Sequence, residues 1–387
     1  MPDSISDCGA TEASFTTQAD RSHRWKQCYL NRRRFSEQIA APLSPEDCAI
    51  QSMPDVSPTR WHLAHTTWFF ETFLLRNRPG YQQFNPAYEC LFNSYYNAVG
   101  QPYPRHRRGQ LSRPGLAEVL EYRHHVDGAV VERLESGELE QADFEVLQLG
   151  LQHEQQHQEL MLTDIKHVFF CNPLRPSYQA SPNRFPAAAA AKLQWRPAPS
   201  GVFEVGYRGC EFAYDNESPR HPTYLQPHQL ASRCVTNGEY LEFVLDDGYS
   251  RPEWWLSLGW AQLAEHHWQA PLYWIRGQDG WHEFTLAGTL PLQLDLPVCH
   301  ISYFEADAFA RWSGNRLPTE FEWEVAASSE ALKGVFADQL FEAREPIHPQ
   351  LQCDPSPLSG MFGNVWEWTS SHYSPYPGYR AAAGALG

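Results

Sequence analysis

Residues 171–200 separate two halves of the chain that differ in composition. This segment contains six prolines and a run of five alanines at 187–191. Proline lacks a backbone N–H and fixes φ, so this density disfavours regular elements and predicts a linker. Three of the 14 tryptophans precede residue 195, and the other eleven follow from there onward. In a chain of 387 residues, we therefore expect a first domain over 20–170 and a second over 201–387.

The first half has the pattern of four long helices. Residues 21–40 are rich in helix-forming residues, and a second helix is predicted to begin with Ser57 as its N-cap and to end before Pro79. The third helix is predicted from about Ser112, and the fourth over about 142–170. Four such helices, joined by connecting segments, predict an up-down bundle.

The second half is different in character. Short apolar runs at 201–207, 271–275 and 297–304 alternate with Gly, Pro and Asn, which is typical of strands and turns. One helix is predicted around 305–312. A helical half followed by a mixed half indicates an α+β multidomain fold.

Charge, hydropathy and cysteine usage exclude several classes of partner. The formal net charge of −16 would repel phosphate backbones, so we expect no nucleic-acid partner. No apolar run reaches the roughly 20 residues of a membrane-spanning helix, and residues 1–20 lack the apolar region of a secretion signal. The nine cysteines form no C-x-x-C pair, which favours free thiols. These features predict a cytoplasmic protein.

Two histidines in the fourth helix are the strongest indication of chemistry. His153 and His157 lie one helical turn apart on an otherwise apolar face, so both imidazoles can reach one metal ion. The apolar positions of that face are Val146, Leu149 and Leu160. The second helix offers a third imidazole, from His65 or from His62 one turn earlier. Spacing alone leaves open whether these residues bind a metal or are hydrogen-bonded core histidines.

The segment His153–His157 also matches the H-E-x-x-H pattern of zinc metalloproteases. Such enzymes need a further ligand at a defined place. One extended pattern requires Gly and His where this chain has Leu160 and Thr163. Another requires a glutamate soon after the helix, but none occurs between Glu159 and Glu204. A zinc metalloprotease is therefore disfavoured.

Six segments across both halves form a specific combination of motifs. In the first half they are SMPDVSPTRWHLAHTTWFFETFLL at 52–75, NSYYNAVG at 93–100 and LQHEQQHQELMLTDIKH at 151–167. In the second half they are NESPRH at 216–221, PVCHISYFEADAFARWSGNRLPTEFEWE at 297–324 and GNVWEWTSS at 363–371. The combination resembles the ergothioneine-biosynthesis sulfoxide synthase family (EgtB type). This resemblance implies an N-terminal DinB-like four-helix bundle followed by an FGE-sulfatase-like (C-type-lectin-like) domain.

The resemblance also implies a non-haem Fe(II)- and O₂-dependent enzyme. Members of the family join the sulfur of cysteine or γ-glutamylcysteine to C2 of the imidazole of hercynine (Nα-trimethylhistidine) and oxidise that sulfur to a sulfoxide. By motif match the iron ligands are His65, His153 and His157, and the matching L-A-H pattern selects His65 over His62. Three neutral imidazoles would bind Fe(II) on one side and leave positions for a thiolate and O₂.

Further site residues are implied in the same way. Tyr95 or Tyr96 matches a tyrosine region near the metal, where a phenol can donate a proton. Arg105 and Arg108 match arginines that hold the carboxylate of the thiol substrate, a role that suits a guanidinium fork. Gln156 matches a residue that hydrogen-bonds the hercynine imidazole.

Two other functions stay open. A selenoneine synthase of the SenA type would use the same scaffold to join selenium from a selenosugar to hercynine. A non-catalytic metal- or thiol-binding module of the DinB type would share the histidines without the reaction. Family members continue beyond the point that corresponds to the final GYRAAAGALG, so we expect the second domain to be C-terminally incomplete.

Overall fold

The structure is a computed structural model that divides into two compact units. It describes residues 18–179, 189–343, 345, 347–350 and 357–386. Unit 1 contains the chain through Tyr178 together with Gly209–Ala213 and the residues from Arg380 onward. Unit 2 contains Gln179–Arg208 and Tyr214–Tyr379.

Unit 1 is a bundle built from four long helices and one short helix of the described chain. In chain order these are α1 (Gln18–Ala40), α2 (Thr59–Phe70), α3 (Tyr88–Leu91), α4 (Leu116–Ser136) and α5 (Gln141–Cys171). Helix α2 continues into a π-helical turn over Glu71–Leu75. Helices α1 and α2 each pack against both α4 and α5. The predicted four-helix bundle is therefore present.

Helix α2 lies at the centre of this bundle. Every residue from Trp61 to Phe70 is buried, although several of them are polar. A helix that is buried on all sides must satisfy its polar side chains within the protein. Its histidines and threonines therefore depend on partners from the surrounding helices.

The start of α2 differs from the prediction. Pro58 is the N-cap residue, and Ser57 makes no capping hydrogen bond. Instead, the Ser57 hydroxyl accepts a hydrogen bond from Arg108 Nη1 at 2.9 Å, and its backbone N–H donates to Asp164 Oδ2 at 2.8 Å. The prediction of Ser57 as N-cap is wrong because tertiary partners engage both of its polar groups.

Gly150 permits the close approach of α2 and α5. A Cβ atom at this position would lie 2.4 Å from Phe70 Cε1 and 2.8 Å from Phe69 Cε1. Real Cβ atoms do not tolerate such contacts, so only glycine allows these aromatic rings to pack against the α5 backbone. This contact lies one turn before His153 and so helps to set the distance between the two helices that carry the histidines.

The strands of unit 2 form small antiparallel sheets in its described part. They are β1 (Trp195–Pro197), β2 (Gly201–Val205), β3 (His221–Leu225), β4 (Gln229–Ala231), β5 (Trp274–Gly277), β6 (Gly280–Thr285) and β7 (Gly288–Pro291). Strand β1 pairs with β4, β2 pairs with β3, and β6 lies between β5 and β7. The end of the predicted linker is thus regular structure, with Pro197 at the last residue of β1, where proline is tolerated. Residues 180–188 of the predicted linker lie outside the described residues.

Three of the described helices of unit 2 begin with a capping box. The helices of this unit are α6 (Asn237–Leu245), α7 (Ser257–His266), α8 (Tyr303–Trp312), α9 (Glu320–Ala327) and α10 (Ala337–Glu342). Thr236, Ser302 and Thr319 each accept a hydrogen bond from the backbone N–H three residues later, where a glutamate completes the box. The helix predicted at 305–312 is α8, whereas the other four helices were not predicted, although an S/T-x-x-E signal precedes both α6 and α9.

The cysteines depart from the prediction at one position. Cys48, Cys90, Cys171, Cys210, Cys234 and Cys299 are free. Cys28 is disulfide-bonded, so the prediction of free thiols is wrong there. Pairing depends on which Cβ atoms the fold brings together, and the number and spacing of cysteines do not report this. Cys8 and Cys353 lie outside the described residues.

None of the described helices is both long enough and apolar enough to cross a membrane.

Candidate metal centre

Three imidazoles from two helices converge inside unit 1. His65 lies on α2, and His153 and His157 lie one turn apart on α5. One ligand atom from each ring can be chosen so that all three lie within 4.8 Å of one another. The ring centroids are 4.6–4.9 Å apart. The structure thus brings together the three histidines that the motif match selected.

A backbone carbonyl fixes the tautomer of His65. The Nδ1 atom of His65 lies 2.5 Å from the carbonyl oxygen of Phe92, so Nδ1 carries the hydrogen and donates it. The Nε2 atom then has a lone pair, and it lies 3.2 Å from Nε2 of His153. The metal-binding nitrogen of His65 is therefore aimed at the other histidines.

A second hydrogen-bond chain fixes the tautomer of His157. The carboxylate of Asp164 accepts from Nε2–H of His62 at 2.9 Å, which leaves His62 Nδ1 as an acceptor. That nitrogen lies 2.8 Å from Nδ1 of His157, which must be the donor. The Nε2 lone pair of His157 is thereby kept for a ligand. His62 thus lies behind His157, with both of its ring nitrogens engaged by other groups.

The donor set fits a divalent metal ion. Two nitrogen lone pairs 3.2 Å apart repel each other unless a proton or a cation lies between them. Metal–nitrogen bonds of about 2.0–2.1 Å in tetrahedral geometry separate two ligand nitrogens by about 3.3 Å. In addition, His153 Nδ1 is buried and has no hydrogen-bond partner among the described residues. A cation at the other ring nitrogen would compensate for burying this imidazole.

Burial keeps these imidazoles in the neutral form. Desolvation lowers the pKa of His153 from 6.5 to about 4, and it lowers the pKa values of His65 and His157 well below 6.5. The neighbouring imidazoles and the guanidinium of Arg108 lower the pKa values of His65 and His157 further. Neutral imidazole is the metal-binding form, so the protein environment prepares the ligands before an ion binds.

Aromatic rings form the walls around His65. Trp61 and Trp68 stack on its two faces, with ring centroids 4.7 and 5.6 Å away. The guanidinium carbon of Arg108 lies 3.3 Å from the centroid of the Trp61 ring, on which it makes a cation–π contact. Phe69 packs on His153 at 5.0 Å. These contacts hold the imidazole planes in place and exclude water from that side.

The histidine face of α5 is more open than expected. Val146 and Leu149 are half-buried, and Leu160 is 39% exposed. The most buried stripe instead contains Leu147, Leu151, Glu154 and Gln158, which face the other helices of the bundle. His157 is itself half-buried. Among the three imidazoles, His157 is therefore the one that is least buried.

Glu154, the glutamate of the H-E-x-x-H run, belongs to a buried ion-pair network. It is fully buried, and its oxygens accept from Arg33 Nη1 at 3.0 Å, from Ser36 Oγ at 2.6 Å and from Arg123 Nη2. Although burial opposes ionisation, Arg123 and Arg33 lower the pKa of Glu154 from 4.5 to about 2. A metalloprotease needs this residue as a general base beside the metal. The structure assigns Glu154 to holding α1, α4 and α5 together.

Two family models together cover most of the chain. A model of the DinB superfamily matches residues 28–161, and one of the sulfatase-modifying factor enzyme 1-like domain matches residues 197–385. They confirm the predicted fold class, with a helical DinB-like part followed by an FGE-sulfatase-like part.

Full-length relatives extend this similarity. The hercynine oxygenase of Mycolicibacterium thermoresistibile is 33% identical over 349 residues, which are 84% of this chain and 75% of that protein. That of Mycobacterium tuberculosis is 30% identical and matches over 91% of this chain and 85% of its own length. This chain belongs to the hercynine oxygenase family. A third family member, from Mycolicibacterium smegmatis, is 30% identical over 85% of this chain and 78% of its own length.

Of the two tyrosines that the family resemblance implies, Tyr96 is the one that packs towards the histidines. Its ring centroid lies 5.4 Å from that of Trp68, which stacks on His65. Tyr95 is 64% exposed and stacks on the outer side of Tyr96 at 4.8 Å. Burial raises the pKa of the Tyr96 hydroxyl well above its usual value near 10, so this group keeps its proton.

The two arginines that the family resemblance implies also differ in position. Arg108 is buried, and it donates from Nη1 to Ser57 Oγ at 2.9 Å and from Nη2 to Ser94 Oγ at 3.0 Å. Its Nε atom is buried without a hydrogen-bond partner among the described residues. Burial, reinforced by Arg105, lowers the pKa of Arg108 to about 9. Arg105 is exposed and donates to the carbonyl oxygen of Asp55.

Gln156, the remaining predicted site residue, lies on the solvent-exposed side of α5. Gln156 is exposed, one position before His157. Gln158, by contrast, is buried and donates to the Arg32 carbonyl at 2.9 Å and to Ser36 Oγ at 3.0 Å, which ties α5 to α1. Neighbouring glutamines therefore serve different purposes, because a step of two residues turns the side chain to the opposite side of a helix.

Sequence reasoning missed the groups that support the histidines. Asp164 and the carbonyl of Phe92 set the tautomers, and Arg33 with Arg123 neutralises Glu154. Asp164 had a usable signal, because it follows His157 by two helical turns on the same face. The other partners had none, since they lie on segments that only the tertiary fold brings near.

Proposed function

We propose that this protein is a non-haem Fe(II)- and O₂-dependent sulfoxide synthase that acts on hercynine. The reaction joins the thiol sulfur of cysteine or γ-glutamylcysteine to C2 of the hercynine imidazole. One atom of O₂ enters the sulfoxide, and the other leaves as water with the S–H and C2–H hydrogens. The observation that carries this proposal is the set of three neutral, oriented imidazoles in a chain of the hercynine oxygenase family.

His65, His153 and His157 would hold the iron through one ring nitrogen each. When bound, Fe(II) would supply the coordination of thiolate and O₂ and the one-electron chemistry that the C–S bond requires. The protein's own contribution is to present three uncharged nitrogen ligands without a carboxylate. Such a set leaves the full positive charge of the ion available to an anionic thiolate.

We assign the substrate carboxylate of the thiol donor to Arg108. Its guanidinium is held in a fixed plane by Trp61, and its Nε–H is buried with no partner among the described residues. A planar guanidinium held in one orientation is suited to a carboxylate. Arg105 is a less favourable candidate because it is exposed, although a substrate could recruit it.

Tyr96 would hold a proton at Oη for transfer to oxygen during the reaction. Its raised pKa and its packing on Trp68 support this role better than the exposure of Tyr95 does. Replacement of Tyr96 by Phe should lower sulfoxide formation more than Tyr95→Phe. Gln156 would hydrogen-bond the hercynine imidazole from the open face of α5.

The proposed partners are therefore small molecules: hercynine, a thiol donor and O₂. We place the reaction in the cytoplasm, since the free cysteines of the described chain suit a reducing compartment. The disulfide at Cys28 is the exception to that pattern.

The test is product formation after anaerobic loading with Fe(II). Wild-type protein would receive hercynine and either cysteine, γ-glutamylcysteine or a selenosugar, then O₂, and products would be identified by mass. We expect a coupled sulfoxide from a thiol donor, whereas coupling only to the selenosugar would identify a selenoneine synthase. Absence of coupling from every donor in iron-loaded protein would contradict the enzyme proposal and favour a non-catalytic binding module.

Two variants sharpen this test. His157→Ala should lose both iron retention and coupling, because it removes one of the three ligands. His124→Ala is the matched control, since His124 lies on α4 with its side chain 67% exposed. Full iron content in His157→Ala would show that the ligand set is wrong.

A further inference from the structure

A second group of metal-ligating side chains lies within unit 2. Glu283, Cys299 and His300 each offer one ligand atom, and these atoms lie within 4.8 Å of one another. Cys299 Sγ is 3.8 Å from Glu283 Oε1. Around a tetrahedral zinc ion, bonds of about 2.3 Å to sulfur and about 2.0 Å to oxygen would place these atoms about 3.5 Å apart. The observed spacing is close to that of two ligands of one ion.

The carboxylate of this group is buried in a sheet. Glu283 lies on β6, between Trp274 of β5 and Leu290 of β7, and is only 4% exposed. A central strand gives a ligand a fixed position, as a metal site requires.

The imidazole of this group is held by unusual backbone geometry. His300 has a φ of +59°, and the neighbouring Tyr273 has a φ of +75°. The Leu272 N–H donates to the His300 carbonyl at 3.3 Å, and the Tyr273 ring packs edge-on against the His300 ring at 4.8 Å. Left-handed backbone is costly at non-glycine residues, and such strain clusters at active sites and ligand clamps.

The donor atoms of this group are of the types found in zinc sites. One thiol, one imidazole and one carboxylate are common ligands of zinc in proteins. The thiol and the imidazole favour zinc over the hard cations magnesium and calcium. His348 is buried beside the group, with its Nε2 atom 3.9 Å from Glu283 Oε2, but it does not belong to the set of ligand atoms within 4.8 Å of one another.

We propose that Glu283, Cys299 and His300 bind a zinc ion that stabilises unit 2. The ion would connect β6 to the segment before α8. This proposal does not depend on the proposed reaction, because it involves none of the three histidines of unit 1.

Cobalt substitution tests the proposal in the full-length protein. Co²⁺ bound to a thiolate shows a charge-transfer absorption in the near ultraviolet, which a site made only of histidines cannot produce. We expect this band in wild type and in Cys90→Ser, which replaces an exposed free cysteine. Cys299→Ser should lose the band and bind one equivalent less Co²⁺. Absence of the band in Co²⁺-loaded wild type, or its persistence in Cys299→Ser, would overturn the proposal.

Thiol labelling of wild-type protein gives a test that needs no variant. With Zn²⁺ added, maleimide modification of Cys299 should slow at least tenfold, whereas that of Cys90 should not change. Peptide mass spectrometry would report both residues in the same sample. Equal labelling of Cys299 with and without Zn²⁺ would contradict zinc binding there.

Discussion

His62 and His157 face each other through their Nδ1 atoms, 2.8 Å apart. Asp164 accepts from the opposite nitrogen of His62 at 2.9 Å, so the direction of both hydrogen bonds is determined. The chain from carboxylate to imidazole to imidazole leaves His157 Nε2 without a hydrogen and ready to bind a cation. Support of this kind raises the basicity of a ligand and fixes its orientation.

His62→Ala should therefore weaken metal binding without removing a ligand. We expect the Kd for Fe(II) to rise about 10- to 100-fold, the effect that loss of such a supporting hydrogen bond has in other metal sites. Anaerobic titration of the full-length apoprotein would measure it. The control is His124→Ala, on the exposed side of α4. An unchanged Kd in His62→Ala would show that His157 needs no orienting partner.

Glu154 should stabilise the folded protein at neutral pH and make its stability sensitive to acid. Its pKa falls from 4.5 to about 2 on folding, so its contribution is complete above about pH 4.5 and is lost as the pH falls towards 2. A shift of this size corresponds to about 3 kcal/mol at neutral pH. Glu154→Gln should lower the free energy of unfolding by about that amount, because two buried arginines lose their partner.

Urea unfolding at several pH values would measure both effects. The wild type should lose stability between about pH 4.5 and 2, and Glu154→Gln should show a flatter acid limb. Glu145→Gln, at an exposed position of the same helix, is the matched control and should behave as wild type. Unchanged stability together with loss of peptide hydrolysis in Glu154→Gln would instead support a protease.

Replacing Gly150 and Gly128 by alanine should change the free energy of unfolding in opposite directions. A Cβ at Gly150 would meet Phe70 at 2.4 Å, so Gly150→Ala should cost about 1–3 kcal/mol of unfolding free energy and weaken metal binding. A Cβ at Gly128 on α4 meets nothing within 4 Å, so Gly128→Ala should gain about 0.5–1 kcal/mol from helix propensity. Thermal or urea unfolding would compare them, and a neutral Gly150→Ala would show that α2 and α5 can separate freely.

The KM for the thiol donor should rise when Arg108 is replaced by lysine, although this substitution preserves the charge. Lysine cannot keep the stacked plane on Trp61 and both hydrogen bonds to Ser57 and Ser94. Arg108→Lys should therefore raise the KM for the thiol donor about 10- to 100-fold, the loss expected of a charged hydrogen bond. Arg105→Lys, at an exposed neighbour, should change it less than threefold. Equal effects at both positions would place the substrate carboxylate elsewhere.

The sequence predicted those features that depend on local periodicity. The helical spacing of His153 and His157 was sufficient to place them on one face, and the helix predicted at 305–312 corresponds to α8. Partners across helices could not be predicted in this way. His62 and Asp164 are 102 residues apart, and their contact depends on the register between α2 and α5. That register depends in turn on contacts such as Gly150 against Phe70.

The same limit explains the errors. Ser57 has the composition of an N-cap, but Arg108 and Asp164 compete for its polar groups. A tertiary contact there outweighed a correct local pattern. Glu154 has the sequence position of the base in an H-E-x-x-H protease, which the sequence already disfavoured, and α1 and α4 supply the arginines that bind it.

Iron K-edge X-ray absorption of the anaerobic Fe(II)-loaded protein tests the central claim most directly, because it reports the ligands of the metal itself. The account predicts three imidazole nitrogens from His65, His153 and His157 and no sulfur in the absence of a thiol substrate. Addition of cysteine should introduce one sulfur scatterer. A sulfur ligand in the protein alone, or a spectrum with fewer than three imidazoles, would contradict the three-histidine iron site.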